Sequence, residues 1–192
     1  MTQTRRPRQT QGQDKPQGRK LPILPIIGGL AVVALIATVI LTMGDGSGEF
    51  GEVTITGEDL GTFGGSPSSD PAIGMMAPDV VGQDFGGSEV TIRNDGRAKM
   101  IVFLAHWCPY CQAEVPVVVD WLEAGGLPAE VDLVAVATGT ATTRDNYPPS
   151  QWLQREGFDV PTILDSKSSD LAGAFGLNAY PYWVFVNADG SV

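Results

Sequence analysis

Trp107-Cys108-Pro109-Tyr110-Cys111 holds the only two cysteines of the 192-residue chain. An apolar run, Met100-Ile101-Val102-Phe103-Leu104, precedes it and reads as a buried strand. Gln112-Ala113-Glu114 behind it opens a helix. Strand, C-x-x-C and helix form the arrangement in which a dithiol does redox work. The first thiol falls at a helix N-terminus, where free N–H groups and the positive dipole end stabilise a thiolate. The second falls one turn inside, close enough to close a disulfide or to attack a mixed one. A static bridge is the bland alternative, but a two-residue loop gains little entropy from closure.

Metal binding fits the residues less well. A closed zinc site needs about four ligands, and His106 is the only histidine in the chain. Copper on Cys108, Cys111 and His106 is the metal alternative that this triad leaves open. His106 otherwise reads as a group that tunes the thiolate or sits at the rim of the site. No metal is assigned, and no small-molecule cofactor is required, because electrons travel through the cysteines.

Outward from the motif, the pattern alternates strands and helices. Residues 89–92 alternate like a strand, Asn94-Asp95-Gly96 is a hairpin turn signal, and residues 99–104 are the return or next strand. Residues 108–124 read as a helix with Pro116 inside it, ended by Gly125-Gly126. Residues 131–137 form a Val/Ala/Leu strand buried on both faces. A helix over 151–156, a short strand over 160–164, a short helix over 169–175 and a last strand over 182–186 follow. This order predicts an α/β domain of three layers over residues 73–192.

Charge is divided along the chain. Six of the twelve basic residues and one of the 22 acids lie in residues 1–20, leaving 21 acids against six bases beyond them. An acidic body repels phosphates, which argues against a nucleic-acid partner. Residues 21–44 carry no charged side chain. As helix, residues 23–43 would span roughly 31 Å, enough for a bilayer core of about 30 Å. Basic residues before the run place the N-terminus in the cytoplasm and the acidic body outside. A signal h-region is shorter, about 7–15 residues, and Leu41-Thr42-Met43-Gly44 offers no A-x-A-like cleavage site. The expected organisation is a basic tail (1–20), an uncleaved anchor (21–43), a Gly/Ser-rich tether (44–72) and the domain. Residues 53–56 could form a short strand, with nothing nearby to give it a core.

Several stretches together resemble the membrane-anchored TlpA/ResA-like oxidoreductases of the thioredoxin fold. Gly74-Met75-Met76-Ala77-Pro78-Asp79 is similar to the family's G-x-x-A-P-[DE], and Glu114-Val115-Pro116 to its E-x-P. Trp107 to Cys111 matches W-C-x-x-C, and Tyr180-Pro181 followed by residues 184–190 resembles the stretch around the fold's cis-proline. The resemblance implies a thioredoxin-like sandwich with a mixed central sheet. It implies that Cys108 is the exposed nucleophile, that Cys111 resolves, and that the two close a disulfide. Pro181 would be cis, setting Tyr180's backbone beside the dithiol to pair with an extended substrate. Glu114 would influence the thiols and Trp107 would shield them, with Pro109 and Tyr110 lying at the substrate face.

The chain departs from the pattern in three places. Val102 stands where thioredoxins carry a buried acid, Tyr180 is bulkier than usual before the proline, and the family's final strand and helix are expected beyond Val192. The chain therefore reads as truncated. Expected partners are protein thiols and disulfides, a membrane redox partner, and the bilayer through residues 21–43. Reduction of partner disulfides fits the family and oxidation of folding substrates fits the compartment. The alternative is a non-catalytic thiol module that binds copper or a client protein. Peroxidase chemistry is disfavoured because Ala105-His106-Trp107 lacks the Thr-x-x before a peroxidatic cysteine.

Overall fold

The computed structural model of the chain describes residues 49–192. The tail and anchor expected over 1–20 and 21–43, and the first residues of the tether, lie outside the described residues. Among the described residues no helix is long and apolar enough to cross a membrane.

In chain order, β1 (Thr54–Thr56), β2 (Asp79–Gln83) and β3 (Glu89–Ile92) precede β4 (Ala98–Leu104) and α1 (Pro109–Glu123). Then come β5 (Val131–Ala137), α2 (Pro149–Arg155), β6 (Thr162–Leu164), α3 (Asp170–Ala174) and β7 (Tyr182–Val186). Strand β4 organises the domain. It pairs in parallel with β5 (Leu104 opposite Ala137) and antiparallel with β7 (Val102 opposite Trp183). With β6 parallel to β5, the central sheet is mixed and runs β6-β5-β4-β7.

The period-2 pattern of these strands sorts their side chains onto two faces. Val102, Leu104, Leu133 and Ala135 face α1 and α2, meeting Cys111, Val115, Trp152 and Leu153. Ile101, Phe103, Val134 and Val136 face the other way, meeting Leu171 and Phe175 of the α3 segment and Val80 and Ile92 of the second sheet. Three layers result: α1 with α2, the mixed sheet, and α3 beside an antiparallel sheet of order β1-β2-β3. Each fully buried aliphatic side chain here contributes about 1.5–3 kcal/mol relative to exposure. Pro116 removes one N–H from α1, but the helix continues through it to Glu123.

Two expectations are corrected. Asn94-Asp95-Gly96 does not close a hairpin, because β3 pairs with β2 while β4 pairs with β5 and β7. The turn instead carries the chain from one sheet to the other. The tether expected over 44–72 is packed against the domain from Glu49 to Phe63. Thr54–Thr56 is strand β1, with Ile55 opposite Val80, and Val53 and Ile55 pack on the core. The Gly51 N–H donates to the Asp165 carbonyl at 3.1 Å and the Leu60 N–H to the Ala174 carbonyl at 2.8 Å. Leu60 is buried. Glycine-rich composition hid this, because the apolar residues that anchor the segment are spaced one every few positions.

Candidate active site

The dithiol follows the carboxyl end of β4, where parallel strands of an α/β sheet open into loops. Ala105 and His106 are buried at the end of that strand, and Cys108 is the N-cap of the 15-residue helix α1. The Cys108 N–H donates to the Ala105 carbonyl at 2.9 Å, and the Cys108 carbonyl accepts from the Gln112 N–H at 3.0 Å. Pro109 occupies the first helical turn, where a missing N–H costs nothing, so the chain enters the helix directly after the sulfur. Cys108 is 6% exposed and Cys111 0%, and both are free thiols. Cys108 was expected as an exposed nucleophile. It lies in a slot instead, because Trp107 and Tyr180 pack into the same cluster beside it.

The two sulfurs have different surroundings. The Cys108 thiol points to the Tyr180 carbonyl at 3.7 Å. The Cys111 sulfur accepts the Ala105 N–H at 3.4 Å. Burial pushes the Cys111 thiol up to about 12, and the charges of Cys108 and Glu114 push the same way. Near neutral pH Cys111 is therefore held as a thiol. The Tyr180–Pro181 peptide is cis. Glu114 accepts the Trp183 indole N–H at 3.0 Å, which fixes its carboxylate on the α1 side of β7. Pro109 and Tyr110 stand on the outer surface, Tyr110 with 74% of its area exposed.

His106 is neither at the rim nor available as a ligand. Its Nε2 accepts the Ala141 N–H at 3.1 Å, so that nitrogen carries the lone pair. Its Nδ1 therefore bears the proton and donates to the Asp145 carbonyl at 2.7 Å. Burial pulls its pKa below 6.5. The side chain is a neutral brace for the loop after β5. A metal bound with Cys108 and Cys111 would have to break one of these two bonds.

That loop was missed in the sequence. The Trp107 indole N–H donates to the Gly139 carbonyl at 2.8 Å, and the Trp107 ring meets Tyr180 edge-on with centroids 5.7 Å apart. Gly139 has φ +58°, and a Cβ there would lie 2.6 Å from the Tyr180 hydroxyl oxygen. Arg144 lies over the Trp107 ring, 5.0 Å from its centroid. One signal could have found these residues: Thr138-Gly139 directly follows a buried parallel strand, and sites in open α/β sheets gather beyond the carboxyl ends of strands. Asp165, a buried acid, is structural, since its carboxylate accepts the N–H groups of Ser166, Leu171 and Ala172 at 2.8–3.1 Å.

The Redoxin family model matches residues 72–192. Among curated proteins, the tryparedoxin of Trypanosoma brucei brucei is 26% identical over 96 residues, 49% of this chain and 63% of that protein. The chain thus spans less than two thirds of that relative's length. Among solved structures, the thioredoxin domain of a thiol-disulfide oxidoreductase from Bacteroides vulgatus matches with TM-score 0.51 at 18% identity, covering 62% of this chain and 84% of that one. A thiol:disulfide interchange protein of the thioredoxin family from Chlorobium tepidum TLS matches with TM-score 0.50 at 21% identity, covering 62% and 82%. Likeness at these identities establishes the fold, a thioredoxin-like α/β domain with a mixed sheet.

Proposed function

The chain belongs to the Redoxin family of thioredoxin-like oxidoreductases, and we propose that it exchanges disulfides with partner proteins through Cys108 and Cys111, acting as a reductase. The observation that carries this reading is the asymmetry of the pair. Cys108 caps the positive end of α1 beside an aromatic slot, while Cys111 is sealed beneath it as a thiol.

The Cys108 thiolate attacks one sulfur of a partner disulfide. The partner's S–S bond breaks, a mixed disulfide forms, and the departing partner sulfur takes up a proton. Loss of the negative charge on Cys108 then removes one of the influences that hold Cys111 protonated. Cys111 gives up its proton and attacks the Cys108 sulfur, and the second partner thiol leaves. The partner gains two electrons, and the protein is left with a Cys108–Cys111 disulfide. Pro181 and the Tyr180 backbone flank the nucleophile, where an extended substrate would lie. Trp107 and Tyr180 form the walls, Pro109 and Tyr110 face outward toward a partner, and Glu114 acts on Cys111 through its charge.

A buried Cys111 held as a thiol is compatible with either direction. The reductase reading therefore rests on the resemblance of residues 74–79, 107–111 and 114–116 to the motifs of reductive oxidoreductases of this fold. The unbroken apolar run of residues 21–44 after a basic tail supports a single-pass anchor with the domain outside the cytoplasm. Equilibrating the full chain with glutathione tests the direction. A potential at or below about −250 mV supports a reductase, and one near −120 mV reverses it to an oxidant.

A further inference from the structure

Residues 49–192 carry 20 acids and six bases, so the domain repels acidic partners at a distance. Its dithiol nevertheless has a cation beside it. The Arg144 guanidinium stacks on Trp107, the residue directly before the nucleophile, and makes no ion pair among the described residues. The side chain is exposed, and a guanidinium presents donors that match a carboxylate in a fixed geometry.

The loop that carries it is held in place from the dithiol side. The Thr138 N–H donates to the Leu104 carbonyl at 3.0 Å, and the Gly139 carbonyl accepts from Trp107 at 2.8 Å. His106 grips the loop twice, at Ala141 through Nε2 and at Asp145 through Nδ1. The Arg144 N–H closes a turn onto the Ala141 carbonyl at 3.1 Å, and Arg155 holds Asn146 at the far end at 3.0 Å. Two consecutive residues before Cys108 therefore fix the backbone on both sides of Arg144. Such bracing lowers the ordering cost of any contact that Arg144 makes with a partner.

We propose that Arg144 is a docking residue that selects partner disulfides carrying a carboxylate next to the reactive sulfur. The proposal rests on the disulfide-exchange reading above and names the substrate class of that site. A carboxylate flanking the attacked sulfur meets the guanidinium at the Trp107 wall as the sulfur meets Cys108. Long-range repulsion by the acidic body excludes generally acidic surfaces, and the local cation admits a single acidic flank. No bond forms or breaks at Arg144.

The test compares two small aromatic disulfides on the reduced full chain, dianionic dithiobis(nitrobenzoate) and uncharged dithiodipyridine. Any effect of Arg144 on the Cys108 thiolate or on loop structure acts on both probes and cancels in the ratio of their rate constants. Arg144→Gln should lower the anionic-to-neutral ratio roughly threefold to tenfold, as expected for charges about 5–8 Å apart at a partly exposed site. Arg144→Lys, which keeps the charge without the planar fork that stacks on Trp107, should restore part of the ratio. Arg93→Gln, which removes the same charge at the opposite end of β4, should leave it unchanged. High salt should shrink the difference in ratio between the wild type and Arg144→Gln, because the long-range repulsion by the body is common to both. Peptide disulfides with Glu or Gln beside the cysteine should be discriminated in the same direction. An unchanged ratio in Arg144→Gln, an equal loss on both probes, or indifference to Glu against Gln overturns the proposal. Failure of the wild type to react with either probe overturns the oxidoreductase reading itself, a different and separable result.

Discussion

Gly139 is where a single methyl group probes the geometry of the site. Its φ of +58° costs an alanine about 1–2 kcal/mol in the left-handed region. The added Cβ would lie 2.6 Å from the Tyr180 hydroxyl oxygen and 3.3 Å from Cζ. The phenol cannot swing away freely, because its ring is packed edge-on against Trp107. Overpacking of this kind costs about 1–3 kcal/mol. Gly139→Ala should therefore lose roughly 2–5 kcal/mol of unfolding free energy, the sum of the backbone and packing costs. In a Tyr180→Phe background the shortest contact is gone and the 3.3 Å approach remains, so the penalty should fall by about 1 kcal/mol or more. Denaturant unfolding of wild type, both single variants and the double variant gives the coupling directly. An equal Gly139→Ala cost in both backgrounds would refute the placement of the Tyr180 hydroxyl against this loop.

Other outcomes test separate parts of the account. His106 is buried as the neutral Nδ1–H form and its folded pKa lies below 6.5. The unfolded state therefore binds more protons as the pH drops below 6.5, so its contribution is present above that pH and lost as pH falls toward the folded value. The charge of Glu49 opposes the shift and the Tyr147 ring lies edge-on to the imidazole, so the titration belongs to this packed group. Unfolding free energy measured against pH should show this acid-side loss, and His106→Gln should lack it. Leu60→Ala should destabilise the domain by about 2–5 kcal/mol, because this side chain is 4% exposed in the main core. A change below about 0.5 kcal/mol would return residues 49–63 to the role of a loose tether.

The parts of the fold that could be read in the sequence were those set by local pattern. Residues 100–104 and 131–137 are too apolar and β-branched to be anything but buried strands, and the cysteines mark the helix that follows. What escaped depended on distant partners. Strand β1 exists because β2 accepts it, and β2 contains Gly82, whose missing side chain lets Ile163 approach to within 2.6 Å of a Cβ position. A glycine in a five-residue strand weakens the very pattern that would reveal it. Asn94-Asp95-Gly96 carries true turn chemistry, but turn chemistry does not say which sheet the next strand joins. The site divides in the same way. Cys108, Cys111 and Trp107 are contiguous and legible, while His106 finds its partners 35 and 39 residues away. Arg144 and Gly139 become site residues only when the loop folds back over Trp107.

Trapping the mixed disulfide is the most direct measurement of the central claim, that Cys108 attacks and Cys111 resolves. The full chain carrying Cys111→Ser, incubated with a peptide disulfide, should accumulate a covalent adduct that mass spectrometry maps to Cys108. Cys108→Ser should form no adduct and show no turnover, since the remaining thiol is buried with its pKa pushed up to about 12. An adduct mapped to Cys111, or turnover that survives Cys108→Ser, would contradict the account.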